Sequence, residues 1–83
     1  MSALTQLPNI GKVLEKLLLS VNIETPQQLC SVGAQEAFLR IRQVDSTACF
    51  SMLCALQGAI ANVRWHHLPP QTKNDLRTFF KAL

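Results

Sequence analysis

The sequence predicts an all-α protein, five helices packed as one compact domain over residues 1–83. Three observations carry that expectation. No stretch alternates apolar and polar residues long enough for a strand, while apolar residues recur three and four apart along most of the chain. Capping residues, prolines, asparagines and glycines punctuate those runs where helices should start and stop. Finally, 83 residues with 48% hydrophobic content suffice for one core and leave no linker long enough to divide the chain.

Residues 1–6 are expected to form a loosely ordered arm. The first helix should begin near Gly11, with Ile10, Val13, Leu14, Leu17 and Leu18 as its apolar stripe. Lys12, Glu15 and Lys16 fall off that stripe, and Asn22 is a good terminator. Thr25 then offers an N-cap and Pro26 a first helical residue, which opens a short second helix, Pro26–Val32, burying Leu29, Cys30 and Val32. Gly33 breaks it. A third helix follows over residues 34–43, with Ala37, Phe38 and Ile41 inward.

Asp45 or Ser46 should cap the fourth helix, residues 47–62. Phe50, Leu53, Cys54, Leu56 and Ile60 surround that segment, so it belongs at the centre of the domain. Ala55 and Gly58 within it suggest close approach by a neighbouring helix. The loop VRWHHLPPQTK comes next, with Trp65 expected to pin it over the fourth helix. Pro70 opens the last helix, residues 71–82, whose Leu76, Phe79, Phe80 and Leu83 recur at helical spacing. Phe38, Phe50, Leu53, Leu56, Ile60, Leu76 and Phe79 are the expected core.

Charged residues make up only 16% of the chain, and the net charge is +3. So few charges leave surface for another subunit, as in a homodimer, or for a domain outside this chain. The basic balance permits nucleic-acid binding without demanding it. Cys30, Cys49 and Cys54 are an odd set without CxxC spacing, each among apolar neighbours, and read as buried thiols of a reducing cytoplasm. The first residues, MSALTQLPN, lack the basic and apolar regions of a signal peptide. The longest apolar-rich run, residues 48–61, is interrupted and too short to span a bilayer. A cytoplasmic protein with no membrane association is the expectation.

Chemistry is sparse. His66 and His67 are adjacent, so their side chains diverge, and no acid or cysteine completes a metal set. The five acidic residues are scattered, and no nucleophile is paired with a base. These features point to a non-enzyme, without cofactor, metal or small-molecule substrate.

One motif stands out, LPNIG at residues 7–11. A helix-hairpin-helix loop has the form apolar-Pro-Gly-apolar-Gly, its two glycine positions allowing positive φ and close approach of a partner. Asn9 replaces the first glycine, and asparagine also tolerates positive φ. Amides at the start of the next helix can then donate to a phosphate, with Lys12 beside them and Lys16 one turn on. Asn9 or Gly11 should take positive φ. The same pattern equally serves as a plain turn that launches a helix. On the last helix, Lys73, Arg77 and Lys81 share one face, which is either a second backbone contact or a solvated surface. The candidate nucleic-acid set is therefore Asn9, Gly11, Lys12, Lys16, Lys73, Arg77 and Lys81, acting on the DNA backbone rather than on bases.

The order of motifs is more specific than any one of them. LPNIG-K, then IETPQQL, VGAQEAFLRI, the run CFSMLCALQGAIAN and finally WHHLPPQTKNDL together resemble the C-terminal domain of the TfoX/Sxy family, from Leu7 to about Phe80. ALQGAI and Trp-x-x-LPPxxK separate this pattern from generic helix-hairpin-helix domains. The resemblance implies a helix-hairpin-helix-like (SAM-like) helical domain. It also implies a role in positive transcriptional control of competence genes, those for DNA uptake, alongside a transcription factor of the cyclic-AMP receptor type. Many relatives carry an N-terminal α/β domain, whereas this chain begins almost directly at LPNIG. An interaction or dimerisation module without nucleic-acid binding is the alternative from the residues themselves.

Overall fold

A computed structural model describes residues 3–83. After a 3-10 turn at Ala3–Gln6 come α1 (Lys12–Ser20), α2 (Pro26–Val32), α3 (Ala34–Val44) and α4 (Phe50–Ala61), then a 3-10 turn at Trp65–His67 and α5 (Pro70–Lys81). The fold is all-α, with five helices and no strand among the described residues, and is compatible with a helix-hairpin-helix-like arrangement. No helix there is long and apolar enough to cross a membrane.

Local chemistry explains most boundaries. Thr25 accepts a hydrogen bond from the Gln28 amide at 3.1 Å, and the Gln28 side chain accepts from the Glu24 amide at 2.6 Å. The start of α2 is thus capped from both sides. Gly33, at φ +88°, ends α2 and starts α3 in a single residue, a turn that a side chain would resist. Asn22 and Asn62 adopt φ of 66° and 60° just beyond α1 and α4. In each case the following amide reaches back five residues, Ile23 to the Leu18 carbonyl and Val63 to the Gly58 carbonyl, both at 2.9 Å. These are Schellman closures in which asparagine does the work usually given to glycine.

Helix α4 is the hub. It packs against α2, α3, α5 and the Trp65–His67 turn, and it buries Leu53, Cys54, Ala55, Leu56, Gly58 and Ala59. Phe38, Ile41, Leu29, Leu18 and Ile23 complete the dry interior, with Leu76 of α5 on its edge. Phe80 stands between Phe38 and Phe50, at ring-centroid distances of 5.9 and 5.7 Å. Phe50, Ile60 and Phe79 are half-buried against this core rather than inside it.

Several expectations are corrected. Over Ala3–Gln6 the arm is ordered, because Leu4 is fully buried and packs the turn on α1; Met1 and Ser2 lie outside the described residues. Helix α4 starts at Phe50, not at residue 47. The Asp45 carboxylate accepts from both the amide and the hydroxyl of Thr47, and this local turn outcompetes a helical start. Val13 is 74% exposed, since at 100° per residue it sits a full quarter-turn from Leu14, off the face that Leu14 and Leu18 bury. Leu83 lies beyond the end of α5 and is exposed. Of the three cysteines only Cys54 is buried.

Leu53 has no exposed surface at the centre of the hub. A Leu53→Ala variant is expected to lose about 2–5 kcal/mol in chemical denaturation, the cost of a cavity that neighbouring side chains cannot refill. A parental unfolding midpoint would place the centre of the core elsewhere.

Candidate functional site

The turn ahead of α1 is built on Asn9. Its φ is +70°, while Gly11 has an ordinary negative φ of −96°. Positive φ therefore falls on the asparagine, and the side chain is committed as well as the backbone. Asn9 Nδ2 donates to the Val63 carbonyl at 2.9 Å and to the Ala55 carbonyl at 3.4 Å, and Asn9 Oδ1 accepts from the Trp65 amide at 3.1 Å. Both polar atoms are used within the fold. Among the sequence-derived candidates, Asn9 is a residue that positions the turn.

Gly58 makes this approach feasible. A Cβ built there would lie 2.6 Å from Asn9 Nδ2, 2.8 Å from the Val63 carbonyl and 3.1 Å from the Trp65 Cα. The close approach foreseen at Gly58 comes from a turn and a loop, rather than from a neighbouring helix. Trp65 does anchor its loop against α4, half-buried beside the core, with its ring stacked on His66 at 4.1 Å between centroids.

Held in this way, the turn presents the start of α1 to solvent. Gly11 is the N-cap and has no side chain to cap the helix; the first helical bond runs from the Glu15 amide to its carbonyl at 2.9 Å. Lys12 and Lys16 are exposed on successive turns. Next to them runs a groove of about 470 Å³ between α1 and the N-terminal half of α4. Lys12, Val13 and Leu14 line one side, Met52 and Ala55 the other, with Trp65 adjoining.

The cations of α5 take a different position. Lys73 Nζ donates to the His66 carbonyl at 3.1 Å, and the Arg77 guanidinium lies 5.3 Å from the centroid of the Phe50 ring. Both pull down the pKa of the Cys54 thiol, although burial is the larger influence and leaves it raised. Phe50 and Cys54 occupy one face of α4, and Met52 and Ala55 lie well around the helix from it. Lys12 and the α5 pair therefore flank the start of α4 from different sides and do not form one stripe. Lys81 is exposed in the last turn of α5.

Cys49, the N-cap residue of α4, also borders the groove. Its thiol lies 3.0 Å from the Ser51 hydroxyl, and that hydrogen bond, followed by the Met52 amide, holds its pKa below the ordinary thiol range. No group of His, Cys, Asp and Glu among the described residues could hold a metal ion. Sequence reasoning missed the groove. Its one available signal was Val13, whose angular position already set it apart from Leu14 and Leu18.

The family model of the TfoX C-terminal domain matches residues 1–80. Protein Sxy of Escherichia coli (strain K12) is 32% identical over 80 residues, covering 96% of this chain and 38% of that protein. The chain thus spans well under half the length of this relative. An uncharacterized protein from Listeria monocytogenes, solved in a triclinic crystal form, is 49% identical with a TM-score of 0.94, over 95% of this chain and 90% of that one. A protein of unknown function from the same organism, in a tetragonal form, is 49% identical with a TM-score of 0.91, over 94% and 96% of the two chains.

The contact between Asn9 and Gly58 can be tested as a pair. Gly58→Ala forces the turn away from α4, and Asn9→Gly keeps the positive φ but removes the side-chain hydrogen bonds; each should cost about 1–3 kcal/mol in stability. Because both break one contact, the double variant should cost clearly less than the sum of the two. Strict additivity in urea unfolding would show that Asn9 and Gly58 act independently.

Proposed function

The chain belongs to the TfoX C-terminal domain family, and from that premise we propose that it is a non-enzymatic regulatory domain in positive transcriptional control of competence genes. It works by macromolecular contact, and the start of α1 is where it grips the DNA backbone. The observation that carries this reading is the outward, side-chain-free cap at Gly11, followed at once by the exposed Lys12 and one turn later by Lys16. Helix-start amides and a lysine together favour an anion such as a phosphate, and phosphate contacts of this kind fix position without reading bases.

One lysine beside one helix start gives modest affinity. Lys73, Arg77 and Lys81 of α5 supply further charge around α4, so that a backbone curving past the Trp65–His67 turn meets both sets. A transcription factor of the cyclic-AMP receptor type, which the family resemblance implies, would contribute the sequence reading that this domain lacks. Catalysis has no part in this reading, and a cytoplasmic location accords with it.

The second reading, a protein-interaction or dimerisation module, is favoured by the groove beside Lys12 and by a surface with few charges. The two separate by salt dependence. Backbone binding weakens steeply as salt rises, in proportion to the phosphates neutralised, whereas apolar docking responds little.

Lys12→Glu is the direct test. Lys12 is exposed at the first position of α1, so the variant should melt like the parent. Duplex DNA binding at low salt should be abolished, or its salt slope reduced by about one unit if the α5 cations hold on. A folded Lys12→Glu protein with parental DNA affinity and slope would return LPNIG to the status of a structural turn.

A further inference from the structure

The groove between α1 and α4 is unlike a surface made for phosphate alone. Its lining is largely apolar, with Val13, Leu14, Met52, Ala55 and Trp65 all contributing. Val13 is 74% exposed although it follows directly on Lys12, which sets a bare isopropyl group beside a cation at the groove's edge. Lys12 is the only lysine or arginine in the lining, and no carboxylate lines it. The nearest acidic residue along α1, Glu15, lies outside this lining and borders a neighbouring hollow that Lys12 and Lys16 also line.

We propose that this groove docks an acidic amphipathic segment of a partner protein, with apolar side chains laid on Val13, Met52 and Trp65 and a carboxylate paired with Lys12. The inference rests on the reading of the chain as a regulatory domain, but not on DNA contact by Lys12. Two physical arguments select this occupant. A DNA backbone would satisfy Lys12 but has no apolar body to cover the groove wall, so Val13 and Met52 would stay wet. A second copy of the chain is a poor match, because its five acids are dispersed along the sequence and three of them are engaged locally: Glu36 with Arg40, Asp45 with Thr47 and Asp75 with Gln71. A segment that alternates acidic and apolar side chains answers both features at once. Apolar anchors supply affinity, and the carboxylate sets orientation and excludes basic competitors.

Trp65 is the sole tryptophan of the chain, so its fluorescence reports occupancy of the groove directly. The probe is a short synthetic peptide presenting Leu and Phe at helical spacing with Glu between them. It is compared with the same peptide carrying Gln for Glu and with duplex DNA, all at low salt. Saturable binding of the Glu peptide with a change in Trp65 emission is expected, weakened about tenfold by the Gln exchange and about as much by Val13→Ser or Lys12→Gln. Both substitutions fall on exposed side chains, and thermal melts confirm that each variant is folded. The proposal is overturned if the Glu peptide does not bind, if the Gln peptide binds equally well, or if Val13→Ser leaves affinity unchanged. DNA binding that persists in Val13→Ser while the peptide fails would sink the groove and leave the DNA reading standing. Peptide binding without DNA binding would do the reverse.

Discussion

Asn9 joins parts of the chain that lie 46 to 56 residues away, at Ala55, Val63 and Trp65. A single primary amide donates to the middle of α4 and to the segment leaving it, and accepts from the turn that follows. The arrangement is available only because position 58 lacks a Cβ and because position 9 tolerates a left-handed backbone. Together with the burial of Ile10, Leu14 and Leu18, that contact fixes how the start of α1 sits relative to α4. The groove, the lysine at its edge and the loop bearing Trp65 all take their places from it.

Behind this contact stands the burial of α4. A helix that is apolar on nearly all sides cannot lie on a surface, so the other helices and the Trp65–His67 turn must pack around it. The dry interior then leaves ordinary surface positions for most charged side chains, and the low charge content becomes legible as exposed apolar groups such as Val13 and Val44. The same economy explains why the cations are distributed rather than gathered. Lys73 is drawn to the carbonyl of His66 and Arg77 to the ring of Phe50, so part of the charge on α5 also organises the fold.

Membership of the TfoX C-terminal family and the high structural similarity to the two Listeria monocytogenes proteins concern the domain, which corresponds to 38% of the length of Escherichia coli Sxy. What the domain contributes must be found on its own surface. The start of α1 offers anion chemistry, and the groove next to it offers apolar chemistry. Lys12 belongs to both.

By itself the sequence determined the helical class, the number of helices, the family and most helix ends. Each of these depends on neighbours within a few residues: the threonine cap and proline ahead of α2, the glycine between α2 and α3, the asparagine after α1, and the three-and-four spacing of Ala37, Phe38 and Ile41. It also marked LPNIG and narrowed positive φ to Asn9 or Gly11. Local signals misled where two of them competed, as when Asp45 served a turn with Thr47 instead of capping α4, and where spacing alone assigned Val13 and Cys30 to the interior. Tertiary structure alone decided that Asn9 faces inward, that Gly58 admits it, that Leu4 is buried, and that Val13, Met52 and Trp65 share a groove with Lys12. The reason is physical. Periodicity and capping record what a residue does with its own helix, whereas the partners of Asn9 become neighbours only after α4 has packed and the chain has turned back across it.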